Sequence, residues 1–109
     1  MAYDEALASR VRETLSENPE ITERKMFGGI AFMLSGNMAV GVSKDDLMVR
    51  IDPDDQDDAL AQPGVRIFDM TGRPMKGWIL VASEATEEDT DLLTWVEAGL
   101  DFAGSLPPK

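Results

Sequence analysis

The sequence predicts an α+β domain in which an antiparallel sheet carries helices on one face. Two observations support this fold class. The apolar spacing alternates between three or four positions, typical of helices, and two positions, typical of strands. The predicted strands are also joined by turns too short for parallel crossovers. The expected order is helix, three strands, helix, two strands, helix. With 109 residues, 43% of them hydrophobic, we expect one domain spanning residues 1–109.

The first helix is predicted over residues 3–17, where apolar residues recur every four positions and a Pro follows at position 19. Three strands of an antiparallel meander should follow, at 25–34, 38–42 and 47–51, because their apolar residues have period two. Met38, Val40 and Val42 are expected to share one face of the second strand.

The Gly28-Gly29 pair interrupts the first predicted strand. Phosphate-binding loops need glycines at other spacings and a helix directly afterwards, and neither is found here. We expect the pair to form a bulge or bend in the strand, or to leave room for a close approach by another part of the chain.

A short helix is predicted after the meander, with Asp52 as its N-cap and Pro53 at its first position. It should end at Pro63-Gly64, and strands should follow at 65–70 and 78–82. The last helix is expected to be capped by Ser83 or Thr86 and to continue close to the C-terminus. It carries a continuous apolar stripe. The stripe consists of Leu92, Trp95, Val96, Gly99, Phe102, Ala103 and Leu106.

The composition excludes several kinds of chemistry. The chain has no Cys and no His, so it has no disulfide, no thiol nucleophile and no His base. No S-x-x-K motif is present, and Asp54 and Asp58 lie outside any calcium-loop pattern and are expected to belong to a solvated helix face. We therefore expect a non-enzymatic protein without metal or cofactor.

The formal net charge of −11 opposes direct nucleic-acid binding, which usually depends on a basic surface. The predicted helices carry most of the acidic residues, whereas basic residues concentrate on the strands and adjoining loops. A sheet could gather these cations into a site for phosphate or carboxylate, or they could pair with the acidic helices of the same chain. The candidate anion-binding residues are Arg24, Lys25, Arg50, Arg73 and Lys76.

The sheet face opposite the helices is predicted to be small and apolar where water would be expected. Methionine adds adaptable surface there, although it could equally fill the core. An apolar face that the chain's own helices leave uncovered indicates a partner, often a second copy of the chain. The candidate interface residues are Phe27, Met33 and Met48, and the expected partner is a homodimer or another protein.

No apolar run approaches the roughly 18 residues that a membrane-spanning helix needs, and the N-terminus does not resemble a signal peptide. We expect a cytoplasmic location without membrane contact.

The segments "KMFGGIAFMLSGNMAVGVSKDDLMVRI" and "GRPMKGWILV" resemble the N-terminal domain of the TfoX/Sxy family of bacterial competence regulators. The resemblance covers nearly the whole chain. It implies an α+β fold similar to secretion-chaperone-like domains, no catalytic residues, and a regulatory role exerted together with other proteins. Longer members have a C-terminal domain, so a stand-alone member is expected here. The expected function is a regulatory or protein-interaction module. The alternative is a small anionic-ligand-binding or enzymatic domain that uses the basic residues.

Overall fold

The computed structural model describes residues 3–16, 20–26, 29–68 and 76–107. These residues form an α+β fold with three α-helices and six strands, in agreement with the predicted class. Short 3₁₀ turns, Pro53–Asp55 and Ser83–Ala85, precede the second and third helices. The elements are α1 (Glu5–Thr14), β1 (Ile21–Met26), β2 (Gly29–Leu34), β3 (Asn37–Ser43), β4 (Asp46–Arg50), α2 (Gln56–Leu60), β5 (Val65–Ile67), β6 (Trp78–Val81) and α3 (Asp89–Gly104).

The strands form one antiparallel sheet in the order β1-β2-β3-β4-β6-β5. The prediction of a single first strand over 25–34 is wrong. Met26 pairs with Gly29, so β1 and β2 are neighbouring strands that run in opposite directions. The sequence of β1, ITERKM, is mostly polar because this strand lies at the edge of the sheet, and its apolar alternation is too weak to identify it.

A β-bulge interrupts the pairing of β2 with β3. Phe32 pairs with Val40 and Met33 pairs with Met38, which leaves Ala39 without a directly opposed residue. Ala39 consequently packs with Ala103 of α3, whereas Met38 joins an apolar cluster on the other face. The expectation that Met38 shares a face with Val40 and Val42 is therefore wrong, because one extra residue reverses the side-chain alternation.

The main core lies between the helices and one face of the sheet. Leu47, Val49 and Ile51 of the β4 region lie in this core. The buried helical residues Val11 and Val96 pack in the same cluster, so α1 and α3 share this core. The opposite face of the sheet is called the second face below.

Gly29 allows a close approach of two backbones, which is one of the two outcomes expected for the Gly28-Gly29 pair. Gly29 begins β2, and a Cβ atom there would collide with the carbonyl oxygen of Val42 on β3. Close contact with another strand therefore explains this glycine better than a bulge does, since the bulge lies farther along β2. Gly28 lies outside the described residues.

The caps of α2 and α3 differ in how well they were predicted. Asp52 accepts a hydrogen bond from the backbone N–H of Asp54 at 2.9 Å, so its predicted capping role is confirmed. The prediction that Ser83 or Thr86 caps α3 is wrong, because the N-cap is Glu88 and its side chain makes no capping hydrogen bond. Thr86 is buried, and its hydroxyl donates to the carbonyl of Ser83 at 3.2 Å.

Candidate functional site

A second apolar cluster covers the second face of the sheet. Its four buried residues come from β2, β3, β4 and the end of β5, and each has at most 7% of its surface exposed. Three further residues pack against them and remain partly exposed at the border of the cluster. The buried residues are Ala31, Met38, Met48 and Phe68, and the border residues are Met33, Trp78 and Leu80.

Gly41 allows two methionines to meet at the centre of this cluster. A Cβ atom at Gly41 would lie 2.6 Å from the methyl carbon of Met48 and 2.9 Å from that of Met38. The missing side chain therefore creates the space that both thioether chains occupy. Methionine suits such an irregular space because its three rotatable bonds let it adapt.

An arginine connects the border of this cluster to α3. The guanidinium carbon of Arg50 lies 5.3 Å from the centre of the Trp78 ring and 5.5 Å from that of Phe102. Phe68 contacts Trp78 with a ring separation of 6.1 Å and an interplanar angle of 53°. Because aromatic ring faces attract cations, the rings of Trp78 and Phe102 hold Arg50 at the end of β4.

The predicted interface residues occupy different environments. Met33 is half-buried at the border of the second-face cluster, whereas Met48 has no exposed surface. Contact of the Met48 side chain with a partner would therefore require the cluster to open. Phe27 lies outside the described residues. The partner interface stays a prediction, and Met33 is the described residue through which it can be tested directly.

The predicted anion-binding residues are spread over the sheet. Arg24 pairs with Ala31 and Lys25 pairs with Ile30, so these two exposed residues of β1 point to opposite faces. Arg50 lies on β4, and the two intervening strands separate it from β1 by about 14 Å at the usual strand spacing.

Lys76, a fourth predicted anion-binding residue, precedes β6. It lines a shallow cavity together with Asp54 and Asp57. Arg73 lies outside the described residues. The anion site stays a prediction, and the described strands do not bring Arg24, Lys25 and Arg50 to one point.

A cavity with a volume of about 770 Å³ lies between α2 and α3. We call it the acidic groove. It combines five aspartates with two partly exposed aromatic residues, and no described Lys or Arg lines it. The aspartates are Asp52, Asp55, Asp58, Asp91 and Asp101, and the aromatic residues are Trp95 and Phe102.

Sequence reasoning missed this groove because its two walls, which come from residues 51–62 and 91–105, are about 30 positions apart in the chain. The sequence predicts a solvated helix face for the acidic run at 52–58 and an apolar stripe of α3 that includes Trp95 and Phe102. Both interpretations are partly correct, because the aspartates are exposed and the aromatic rings are half-buried. The signal that could have found the groove is the pair of aspartates, Asp91 and Asp101, that flank the aromatic residues on α3.

The ion pairs of the described residues lie outside the groove. Arg10 contacts Asp89 at 3.0 Å and Arg66 contacts Asp46 at 2.7 Å. Arg12 donates two hydrogen bonds of 2.8 Å to the carboxylate of Glu23, linking α1 to β1. These bonds hold the pKa of Glu23 below its ordinary value and raise the pKa of Arg12.

Two structural findings concern metals and membranes. Among the described residues, no three acidic side chains are grouped in a way that could hold a metal ion. Within the same part of the chain, no helix has both the length and the apolar character required to cross a bilayer.

In the part of the chain that the structure describes, these features define a small α+β domain with a six-stranded antiparallel sheet, helices on one face and an apolar cluster on the other. The family described as the TfoX N-terminal domain matches residues 13–103, which is most of the chain. The chain therefore belongs to the TfoX N-terminal domain family. No curated protein and no solved structure matches it significantly.

Proposed function

We propose that this chain is a non-enzymatic regulatory module that acts by contacting another protein through the second face of its sheet. The observation that carries the proposal is the apolar cluster on that face, which has Met33, Trp78 and Leu80 partly exposed. The three α-helices pack in the core on the opposite face. Apolar surface of this kind is typical of contact sites between proteins.

A second copy of the chain is the first partner to test. At a net charge of −11, most surfaces of two copies repel each other. Among the described residues, the strand register places the acidic residue Asp46 on the second face. Arg66 contacts the Asp46 carboxylate at 2.7 Å. Two copies could therefore approach through this face without acid–acid repulsion.

Substitution of Met33 by Glu tests the proposed interface. We expect the wild type to be a dimer in native mass spectrometry and light scattering, and Met33→Glu to be monomeric with an unchanged circular dichroism spectrum. Leu93→Glu is the matched control, because Leu93 is 42% exposed on α3, away from the second face. This variant should remain dimeric. A monomeric wild type at high concentration would refute self-association through this face.

The second candidate function is binding of, or chemistry on, a small anion at Arg50, one of the five predicted anion-binding residues. The observation that favours it is the half-exposed Arg50, which two aromatic rings hold in a fixed position. A prepositioned guanidinium suits phosphate or carboxylate. The same mass spectra test this function. If the chain binds a small anion, the wild type should retain that anion in the mass spectra. Arg50→Gln should lose the anion, and Met33→Glu should keep it.

A further inference from the structure

The acidic groove has a shape and lining that suit a cationic chain. Its walls are the α2 region and α3, and the half-buried Trp95 and Phe102 provide apolar surface between the carboxylates. Aromatic rings beside carboxylates suit Arg and Lys side chains, whose apolar stems cover the ring while the charged end meets the acid. The structure contains an internal example, because the guanidinium of Arg50 already lies 5.5 Å from the Phe102 ring.

The carboxylates of the groove are not paired with basic side chains in the described part of the chain. Asp55, Asp58, Asp91 and Asp101 form no hydrogen bond or ion pair with a described basic side chain, and all four are exposed. A metal ion is a poor occupant, because the described carboxylates form no group of three that could bind one. Separate cationic groups would match separate carboxylates better than one ion would.

The length of the groove favours a polymer of cations over a single amine. Asp91 and Asp101 are ten positions apart on α3, which corresponds to about 15 Å along the helix axis. An extended peptide covers that distance with about five residues. Asp52, Asp55 and Asp58 provide carboxylates along the opposite wall.

We propose that the acidic groove binds an extended Arg- or Lys-rich segment of a partner protein, with cationic side chains against Trp95 and Phe102 and between the aspartates of the two walls. This surface is separate from the second face, so the inference goes beyond the proposed function. Either surface can fail its test without affecting the other.

A titration followed by nuclear magnetic resonance tests the groove in the intact chain. The probe is a hexa-arginine peptide with blocked ends, and a hexaglutamine peptide is its control. The two Trp residues give separate indole N–H signals, which Trp78→Phe assigns. We expect a saturable shift of the Trp95 signal that is larger than any shift of the Trp78 signal, because Trp95 lines the groove whereas Trp78 is connected to it only through Arg50. Hexaglutamine should cause no shift.

Two matched double variants show whether the groove itself binds the peptide. Asp58→Asn with Asp101→Asn removes two groove charges, and we expect affinity to fall about tenfold, since each exposed ion pair contributes up to about 1 kcal/mol. Glu13→Gln with Glu84→Gln removes two exposed charges that do not line the groove and should change affinity less than about twofold, because solvent-exposed charges are screened by salt.

Three results would overturn the proposal. The first is a Trp95 signal that does not respond to hexa-arginine. The second is an equal loss of affinity in both double variants, which would mean attraction to the overall charge of the chain. The third is tighter binding of spermine than of hexa-arginine at Trp95, which would assign the groove to a small polyamine.

Discussion

The absence of one methyl group at Gly99 sets how closely α3 approaches the sheet. A Cβ atom at Gly99 would lie 2.5 Å from the carbonyl oxygen of Ala39 and 2.7 Å from a methyl carbon of Val40. Both distances are well below van der Waals contact, and one of the neighbouring atoms belongs to the backbone. The helix therefore packs directly on β3 beside the bulge because residue 99 has no side chain.

We predict that Gly99→Ala destabilises the fold by about 1–3 kcal/mol, because α3 must move away from β3 and this loss outweighs the gain in helix propensity. Urea unfolding followed by circular dichroism measures the change. Gly104→Ala is the control within the same helix, since a Cβ atom there would lie 3.6 Å from a Leu34 methyl carbon, an ordinary contact. It should be neutral or stabilising by up to about 1 kcal/mol. Equal stability of the two variants would contradict the close-packing explanation.

Glu23 shows how an ion pair between elements affects the response to pH. Its pKa is lowered chiefly by the hydrogen bonds from Arg12. A carboxyl group whose pKa is lower in the folded state stabilises the fold at pH values above its unfolded pKa. This contribution is lost as the pH falls through the folded pKa. The Arg12 and Glu23 side chains are 48% and 39% exposed, so the pair contributes less than about 1 kcal/mol.

We predict that Arg12→Gln raises the pKa of Glu23 towards its ordinary value. The same variant should remove a small part of the stability at neutral pH and less at strongly acidic pH, where Glu23 is protonated in both proteins. Carboxyl chemical shifts across a pH titration measure the pKa. Arg10→Gln, which removes the contact with Asp89, should leave the pKa of Glu23 unchanged. A Glu23 pKa that is the same in wild type and Arg12→Gln would disprove the assigned cause.

At the scale of elements, the three helices begin in different ways. Asp4 caps α1 by accepting hydrogen bonds from the N–H groups of Ala6 and Leu7, at 2.9 and 3.1 Å. Asp52 caps the turn that leads into α2. Glu88, at the start of α3, has the extended backbone of an N-cap, but its side chain makes no capping hydrogen bond. A residue that caps better at this position should therefore stabilise α3.

We predict opposite effects of substitution at two helix starts. Asp4→Ala should destabilise the fold by about 1 kcal/mol, because two backbone N–H groups lose their acceptor. Glu88→Ser should stabilise it by about 0.5–1 kcal/mol, since a shorter side chain can accept from the first turn of α3. Thermal and urea unfolding of both variants measure the changes. A neutral Glu88→Ser would mean that the first turn of α3 gains nothing from a cap.

At the scale of the whole molecule, folding concentrates charge. The carboxylates of α2 and α3 come together in the acidic groove, although they are far apart in the chain. In a protein with a net charge of −11, this arrangement adds repulsion that the folded state must overcome.

We predict that the melting temperature rises by several degrees when NaCl increases from about 0.01 M to about 0.15 M, because the Debye length falls from about 30 Å to about 8 Å. Calorimetry measures the shift. The rise should be smaller in Asp58→Asn with Asp101→Asn than in Glu13→Gln with Glu84→Gln, because the first pair removes charges that share the groove. A melting temperature that falls with salt would show that the surface ion pairs outweigh the repulsion.

Much of the fold could be predicted from the sequence because its strongest signals are local. The period-two spacing predicts β3 and β4, the apolar stripe predicts α3, and Asp52-Pro53 predicts the start of the short helical segment that contains α2. β1 is not predicted from the sequence, because this edge strand has little alternation of apolar and polar residues. The cap of α3 was misplaced because Ser83 and Thr86 lie in a separate 3₁₀ turn, whose sequence resembles a helix start.

Much less of the candidate sites could be predicted. Met33 and Met48 were assigned to one apolar face, and the structure places both in the second-face cluster. Met48 is buried because Gly41, which has no side chain, leaves space for it. From the sequence, the cations could either gather into one site or pair with the acidic helices, and the register turns two of them, Arg24 and Lys25, to opposite faces. Whether a side chain is exposed, and whether distant side chains meet at one point, depends on which strands are neighbours in the sheet. The spacing of residues along the chain does not contain that information.

The sequence by itself determined the α+β class, the apolar stripe of α3, the acidic character of the helices and membership in the TfoX N-terminal domain family. These properties follow from residue type and short-range periodicity, which are the same in the unfolded and folded chain. The tertiary structure alone decided that Ala39 faces α3, that Arg50 lies between Trp78 and Phe102, and that two distant acidic segments line one groove. Each of these depends on strand pairing and helix packing, which bring together residues that are remote in the chain.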